Sequence, residues 1–213
     1  MSALKSESGR REKNKSATRA RILAASLALF KEKGFEATTT KAIARKAKIA
    51  EGTVFNYFRT KEDIALYFFE QEVDAAIAAV KGNKRLRKAT LEERLFKLVQ
   101  TQLEFLAPHE RFIGSALIYS LKPGAKLGPF SPSSNALQAR YLTFVQELLE
   151  DAMRRGEVSG VSWWTPQAFW IYYFGVLLYW LHDTSPDKQQ TLAFLDRSLK
   201  IGVSFLRNPA FER

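Results

Sequence analysis

Residues 39–64 read TTKAIARKAKIAEGTVFNYFRTKEDI. Thr38, Thr39 and Thr40 offer N-cap oxygens to a short helix over about 41–47, whose Ile43, Ala44 and Ala47 point one way. Ile49 and Ala50 make a turn, and a second short helix follows over about 51–58, with Val54 and Phe58 four residues apart on one face. Thr60 then caps a longer helix that runs to about Val80 and ends near Gly82 and Asn83. Upstream, Ile22, Ala25, Ser26, Leu29 and Phe30 share one helical face, and Gly34 followed by Phe35 reads as its stop. Three short helices with a tight turn between the second and third form the arrangement that lays a recognition helix in the DNA major groove.

The charge sits in the same place. Of 213 residues, 33 are Lys or Arg and 22 Asp or Glu, a formal net charge of +11. Residues 1–62 hold 15 basic and 6 acidic side chains, whereas 63–213 hold 18 and 16. A basic module on a nearly neutral body fits a polyanionic partner, either nucleic acid or an anionic membrane surface. Apolar residues make up 46% of the chain, enough for a sizeable core in one or two domains. Cysteine is absent and only His109 and His182 represent histidine, which removes disulfides and thiolate chemistry. Residues 1–20 lack the apolar stretch of a secretory signal, so a cytoplasmic location is expected. The unbroken apolar run 169–181 spans 13 residues. At about 1.5 Å per residue it is too short for a bilayer core of roughly 30 Å, so it reads as a buried helix and no membrane partner is expected.

No stretch alternates as a half-buried strand does, and helical signals continue to the end of the chain, so the fold class is all-α with about nine helices. Thr90 and Glu93 form a capping-box pair ahead of Leu91, Leu95, Leu98, Val99, Gln102 and Leu106. A helix over about 110–121 follows Pro108, and Leu137, Tyr141, Phe144, Leu148 and Ala152 build the seventh. Thr165–Pro166 and Ser185–Pro186 each read as a cap followed by proline at the first helical position. The intervening stretch 122–135, with Pro123, Gly124, Gly128, Pro129 and Pro132, reads as a loop, either a gate or a plain connection. The expected organisation is a loose basic arm over 1–17, a helix-turn-helix domain over 18–62 and a ligand-binding and dimerisation domain over 63–213.

The stretch 39–64 resembles the helix-turn-helix of the TetR family of bacterial transcriptional regulators. The resemblance rests on Thr39, the Ile43–Ala44 pair, Ala47, Ile49, the run Gly52-Thr53-Val54-Phe55, the aromatic pair Tyr57 and Phe58, and Lys61. It implies a homodimer on palindromic double-stranded DNA, usually a repressor, released when a small molecule enters the C-terminal domain. Carried over by position, Thr40 and Lys41 would hold a phosphate; Arg45 and Lys46, on a helix that crosses the backbone, are either solvated or phosphate contacts. Thr53, Phe55, Asn56 and Tyr57 would lie on or beside the base edges, Gly52 would allow close approach, and Lys61 would grip the backbone. Two positions depart from the family. Lys48 stands where glycine is usual, so the turn either takes a left-handed lysine or bends differently. Phe55 stands where tyrosine is usual and has no hydroxyl for a phosphate, which Tyr57 or Arg59 would supply instead. Arg10, Arg11, Lys13, Lys15 and Arg19 are either a minor-groove arm or a solubilising tail.

Nine aromatics fall between Trp163 and Trp180, more than a small monomer's own core needs. The resemblance implies that the last two helices pair with their copies in a four-helix interface, with Gly175 and Gly202 permitting close approach and Leu192, Leu195, Leu199 and Phe205 as an apolar stripe. Helices five to eight hold the material for an apolar effector pocket. Its candidates are Phe105, Phe112, Leu117 and Tyr119 from two of them, and Tyr141, Phe144, Trp170, Tyr173 and Phe174 from the others. The aromatic excess and scarcity of charge favour a hydrophobic or aromatic effector. The basic cluster Lys81, Lys84, Arg85, Arg87 and Lys88 is either a backbone contact or a solvated face.

The sequence carries no glycine-rich phosphate loop, no HExxH, no GxSxG elbow and no set of His and carboxylates at ligand spacing. The expectation is therefore a regulator and not an enzyme, without metal or cofactor. The rival reading is a non-specific binder of nucleic acid or of an anionic membrane surface.

Overall fold

The computed structural model of the protein describes residues 2–128 and 131–207. Among them nine α-helices and no strands are present: α1 (Ser2–Lys33), α2 (Thr40–Lys46), α3 (Glu51–Phe55), α4 (Lys61–Gly82), α5 (Leu91–Leu106), α6 (Glu110–Ser120), α7 (Asn135–Arg154), α8 (Thr165–His182) and α9 (Gln189–Leu206). They divide into two compact units. One takes the chain up to Phe69 together with His109–Ser134; the other takes Glu70–Pro108 and the chain from Asn135 on. The units do not follow the expected 62/63 boundary, because α6 and the first turns of α4 pack into the first.

In the first unit α1 packs on α2 and α6, and α2 on α3, around Ile22, Phe30, Phe35, Ile43, Val54, Ile64 and Phe112, all fully buried. The rings of Phe30 and Phe112 stack with centroids 4.8 Å apart, and the Phe35 amide donates to Ser115 Oγ of α6 at 3.2 Å. Gly34 ends α1 at φ +82°, the left-handed conformation for which glycine pays no Cβ penalty. The expected loose arm is instead the start of α1, which runs unbroken from Ser2. Once the helix over 18–33 is nucleated, extending it needs no new nucleation, and the Lys, Arg, Glu, Ala and Leu of 2–17 favour it against the Ser residues, Gly9 and Asn14 among them.

In the second unit α5 packs on α7, α8 and α9, and α7 on α8. The Thr90 and Glu93 capping box is present, and Leu91, Leu95, Leu98, Val99, Gln102 and Leu106 are buried on one face of α5. The five residues predicted to face inward on α7 are all buried. The Asp183 carboxylate accepts from the Ser185 amide and from the Thr191 amide and hydroxyl at 2.6–2.8 Å, tying the end of α8 to the start of α9. The predicted loop 122–135 is turns up to Gly128 and one 3-10 turn over Pro132–Ser134; its Pro129 lies outside the described residues.

Candidate nucleic-acid interface and effector site

α2 begins as its threonines require: the Thr39 hydroxyl caps it, accepting from the Ala42 amide at 3.2 Å. The Thr40 hydroxyl is engaged with α3 instead, donating to Glu51 Oε1 at 3.0 Å. The turn takes the first of its two predicted forms, a left-handed Lys48 at φ +54°. α3 is shorter than predicted, ending at Phe55, and Asn56–Phe58 continue as a turn with Phe58 amide bonded to the Val54 carbonyl at 2.9 Å.

Val54 and Phe58 are buried, which turns the other side of α3 outward. Gly52, Phe55 and Asn56 are exposed there, Phe55 at 47%, with Thr53 and Tyr57 half-buried. A Cβ added at Gly52 meets nothing within 4 Å, so nothing inside the chain demands glycine there. Lys41 and Arg45 are exposed on α2. The helical form of the N-terminal segment sets Arg11, Asn14, Lys15 and Thr18 on one face, and these line a depression of about 480 Å³ with Thr53, Asn56 and Tyr57. Arg19 is drawn inward instead: its guanidinium lies 5.1 Å from the Tyr67 ring centre and 5.9 Å from that of Phe58.

Lys61 has a different surrounding from that expected of a phosphate grip. Its ammonium donates to the carbonyls of Phe35, Glu36 and Thr38 at 3.0, 2.7 and 3.1 Å and lies 4.9 Å from the Phe35 ring centre. An ammonium has three N–H donors, and all three are used within the fold.

The expected pocket residues fall into two groups. Phe112 belongs to the aromatic core of the first unit, and Tyr119 packs edge-on to Phe35 at 4.9 Å while its hydroxyl donates to Glu62 at 3.0 Å. Leu117 is half-buried on the same helix. These three thus serve the unit that carries the helix-turn-helix. In the second unit Tyr141, Phe144, Trp170 and Tyr173 are buried, and Phe174 stands edge-on to Trp170 at 5.0 Å. Phe105 is half-buried on α5.

At the centre of that second group Gln102, Tyr141 and Tyr173 meet a residue that the sequence does not single out, Glu72. Glu72 of α4, 3% exposed, accepts from Gln102 Nε2 of α5 and from the Tyr173 hydroxyl of α8, each at 2.7 Å. The Tyr141 hydroxyl of α7 donates to Gln102 Oε1 at 3.0 Å. Burial pushes the Glu72 carboxyl up to about 7, with the two donated hydrogen bonds opposing. Burial likewise pushes the Tyr141 and Tyr173 hydroxyls well above their ordinary range. The signal was present: Gln102 sits in the apolar stripe of α5, and Glu72 lies one helical turn from both Phe68 and Ala76, which are buried.

The expected apolar stripe of α9 requires correction. Leu195 and Leu199 are 0% and 5% exposed and face the core of their own unit, while Leu192 is half-buried. The outward stripe is Phe194, Ile201 and Phe205 with Gly202, and α8 presents Ile171, Gly175, Leu178 and Tyr179. Tyr179 and Phe194 stack with centroids 4.8 Å apart, joining the two faces. Lys81 of the basic cluster pairs with Glu147 at 2.8 Å. Among the described residues no group of three His, Asp or Glu could hold a metal ion, and no helix is long and apolar enough to cross a membrane.

Residues 22–68 match the family profile of bacterial regulatory proteins, tetR family, and residues 94–213 match that of the tetracyclin repressor-like C-terminal domain. The chain is 24% identical over 138 residues to the fatty acid metabolism regulator protein of Bacillus subtilis (strain 168), covering 65% of this chain and 69% of that one. It is 28% identical over 145 residues to the HTH-type transcriptional regulator UidR of Escherichia coli (strain K12), covering 67% and 69%. Among solved structures it is similar to the transcriptional regulator FadR of Bacillus subtilis in complex with stearoyl-CoA, with a TM-score of 0.63 and 22% identity over 87% of this chain and 97% of that one.

Proposed function

The chain belongs to the tetR family of bacterial transcriptional regulators, and from that premise we propose that it is a dimeric repressor released from a palindromic operator by a small hydrophobic or aromatic effector. One observation carries the DNA-binding side: α2 and α3 bury Ile43, Val54 and the adjoining Phe58, and turn Lys41, Arg45, Gly52, Phe55 and Asn56 outward together. Side chains of that kind suit a duplex, cations and hydroxyls for phosphates and Asn56 for a base edge. Thr53 and Tyr57 complete the proposed contacts, with Arg11 and Lys15 of α1 beside them, and Thr40, whose hydroxyl is donated to Glu51, offers a phosphate only its backbone amide at the start of α2.

The dimer forms through the outward stripes of α8 and α9, centred on Leu178, Tyr179, Phe194 and Ile201 and closed up by Gly175 and Gly202. The effector is held by the aromatic residues of the second unit. The name of one relative, a fatty acid metabolism regulator, and the stearoyl-CoA in the FadR structure support an apolar body for it. α4 supplies Lys61–Phe69 to one unit and Glu70–Gly82 to the other, so it is the segment through which an effector would shift the spacing of the two recognition helices. That spacing must match one DNA turn, about 34 Å. The effector acts by binding the released state more tightly than the DNA-bound one.

Selection from a random DNA pool with the purified protein tests the reading. An inverted repeat with half-sites about one turn apart is expected. Salt-sensitive binding that enriches no sequence would leave only a non-specific binder of nucleic acid.

A further inference from the structure

The second unit buries a carboxylate and gives it no cation. Gln102 Nε2 and the Tyr173 hydroxyl both donate to Glu72 Oε1, and Oε2 accepts no hydrogen bond among the described residues. Gln102 is held in that orientation by the Tyr141 hydroxyl on its own oxygen. The groups facing Glu72 from the surrounding helices are therefore neutral: Gln102 from α5, Tyr141 from α7 and Tyr173 from α8. No ion pair to Glu72 is present among the described residues; Arg140 pairs with Asp74 at 2.9 Å and Arg94 with Asp151 at 2.7 Å. A second unmet polar atom lies alongside. The Trp170 indole N–H is buried without an acceptor, and its ring centre is 5.3 Å from that of Tyr141.

A buried carboxylate is stabilised by a cation more than by any neutral donor, and the electron-rich faces of aromatic rings also favour positive charge. The same surroundings repel an anionic head group. We propose that Glu72 Oε2 anchors the effector by taking the ammonium group of an amphipathic amine, whose apolar body lies against the rings of Phe169, Trp170 and Phe174. This rests on the reading of the second unit as the effector-binding one, and it specifies the head group that the apolar lining leaves open. Because the Glu72 carboxyl is held near neutrality in its proton affinity, at about 7, an ammonium displaces that proton on binding. Affinity for the amine rises with pH until the carboxyl is ionised without it, then levels off.

The test uses three probes with one chain and three head groups: octylamine, octan-1-ol and octanoate. Each is titrated calorimetrically into the full-length protein at about pH 6 and about pH 8, with operator DNA release read in parallel. Octylamine is expected to bind about tenfold more tightly at the higher pH, with proton release at the lower. Octanoate is expected not to bind. Glu72→Gln, which keeps the acceptor for Gln102 and Tyr173, is expected to lose tenfold or more of the amine affinity together with its pH dependence, and to change octan-1-ol affinity by much less. Octanoate binding as tightly as octylamine, or an amine affinity unmoved by Glu72→Gln, overturns the proposal without requiring any variant that fails to fold. Operator release by octan-1-ol with no amine binding keeps the effector reading and overturns the amine site. Glu72-dependent amine binding that leaves operator affinity unchanged keeps the site and removes the effector reading.

Discussion

The Lys61 ammonium donates to the Glu36 carbonyl at 2.7 Å, and with the Phe35 and Thr38 carbonyls it holds the connection between α1 and α2 against the start of α4. This makes Lys61 part of the frame that positions the helix-turn-helix. Lys61→Ala strands three carbonyls and is expected to cost about 1–3 kcal/mol of stability. Urea denaturation reads that loss. The salt dependence of operator binding is expected to stay as in the wild type, whereas Arg45→Ala lowers its slope by about one. A lowered slope and an unchanged denaturation midpoint for Lys61→Ala would return this lysine to the DNA backbone.

That relationship also shows where sequence reading stops. The caps of α2 and α5, the stop at Gly34 and the buried faces of α5 and α7 depend on residues within one or two turns, and they were legible. Lys61 instead meets carbonyls 23 to 26 positions earlier in the chain, and no local spacing points to them. The α9 stripe failed differently. A period of 3.6 says that Leu195 and Leu199 are buried but not whether their own chain or a copy buries them, and α9 carries a second apolar stripe at Phe194, Ile201 and Phe205. Glu72 is different again: a carboxylate reads as a surface residue in a sequence, and only its spacing from Phe68 and Ala76 places it on a buried helical face.

Lys48 holds φ +54° at the turn between α2 and α3, and its side chain is exposed. A residue with a Cβ pays for this conformation, so Lys48→Gly is expected to stabilise the fold by about 1 kcal/mol. Thermal or urea denaturation checks this, and a loss of stability would mean that the lysine side chain makes a contact worth more than the backbone strain.

Gly52 separates fold from function. With open space around its Cβ position, Gly52→Ala is expected to raise stability by up to about 1 kcal/mol through helix propensity. Operator affinity is expected to fall, because the added methyl stands on the outward side of α3 where the duplex approaches. Asn56→Ala is expected to relax base preference at one position at a cost of about 1–3 kcal/mol. If both variants bind the selected operator as the wild type does, another face of the helix-turn-helix meets the DNA.

Ile201 is 58% exposed on α9, and Leu195, six residues earlier and on the other side of the helix, is fully buried. Ile201→Asp is expected to give a folded monomer by analytical ultracentrifugation, with operator binding lost along with the second half-site. Leu195→Asp buries a charge and is expected to prevent folding altogether. A dimer that survives Ile201→Asp would place the interface away from this stripe.

The Glu72 carboxyl ties stability to pH. Its affinity for the proton is raised from the ordinary 4.5 to about 7, chiefly by burial. Between those values the folded protein keeps a proton that the unfolded chain has released, so this contribution is complete below about 4.5 and is lost as pH rises through about 7. Glu72→Gln removes the titration and preserves an acceptor for Tyr173 and Gln102. The variant is therefore expected to gain on the wild type as pH rises from about 5 to about 8, by roughly 3 kcal/mol at most. Urea denaturation of both proteins across that range measures the difference. A difference that stays constant with pH would mean that the carboxyl does not change its protonation in the folded state, and the proton release expected on amine binding would go with it.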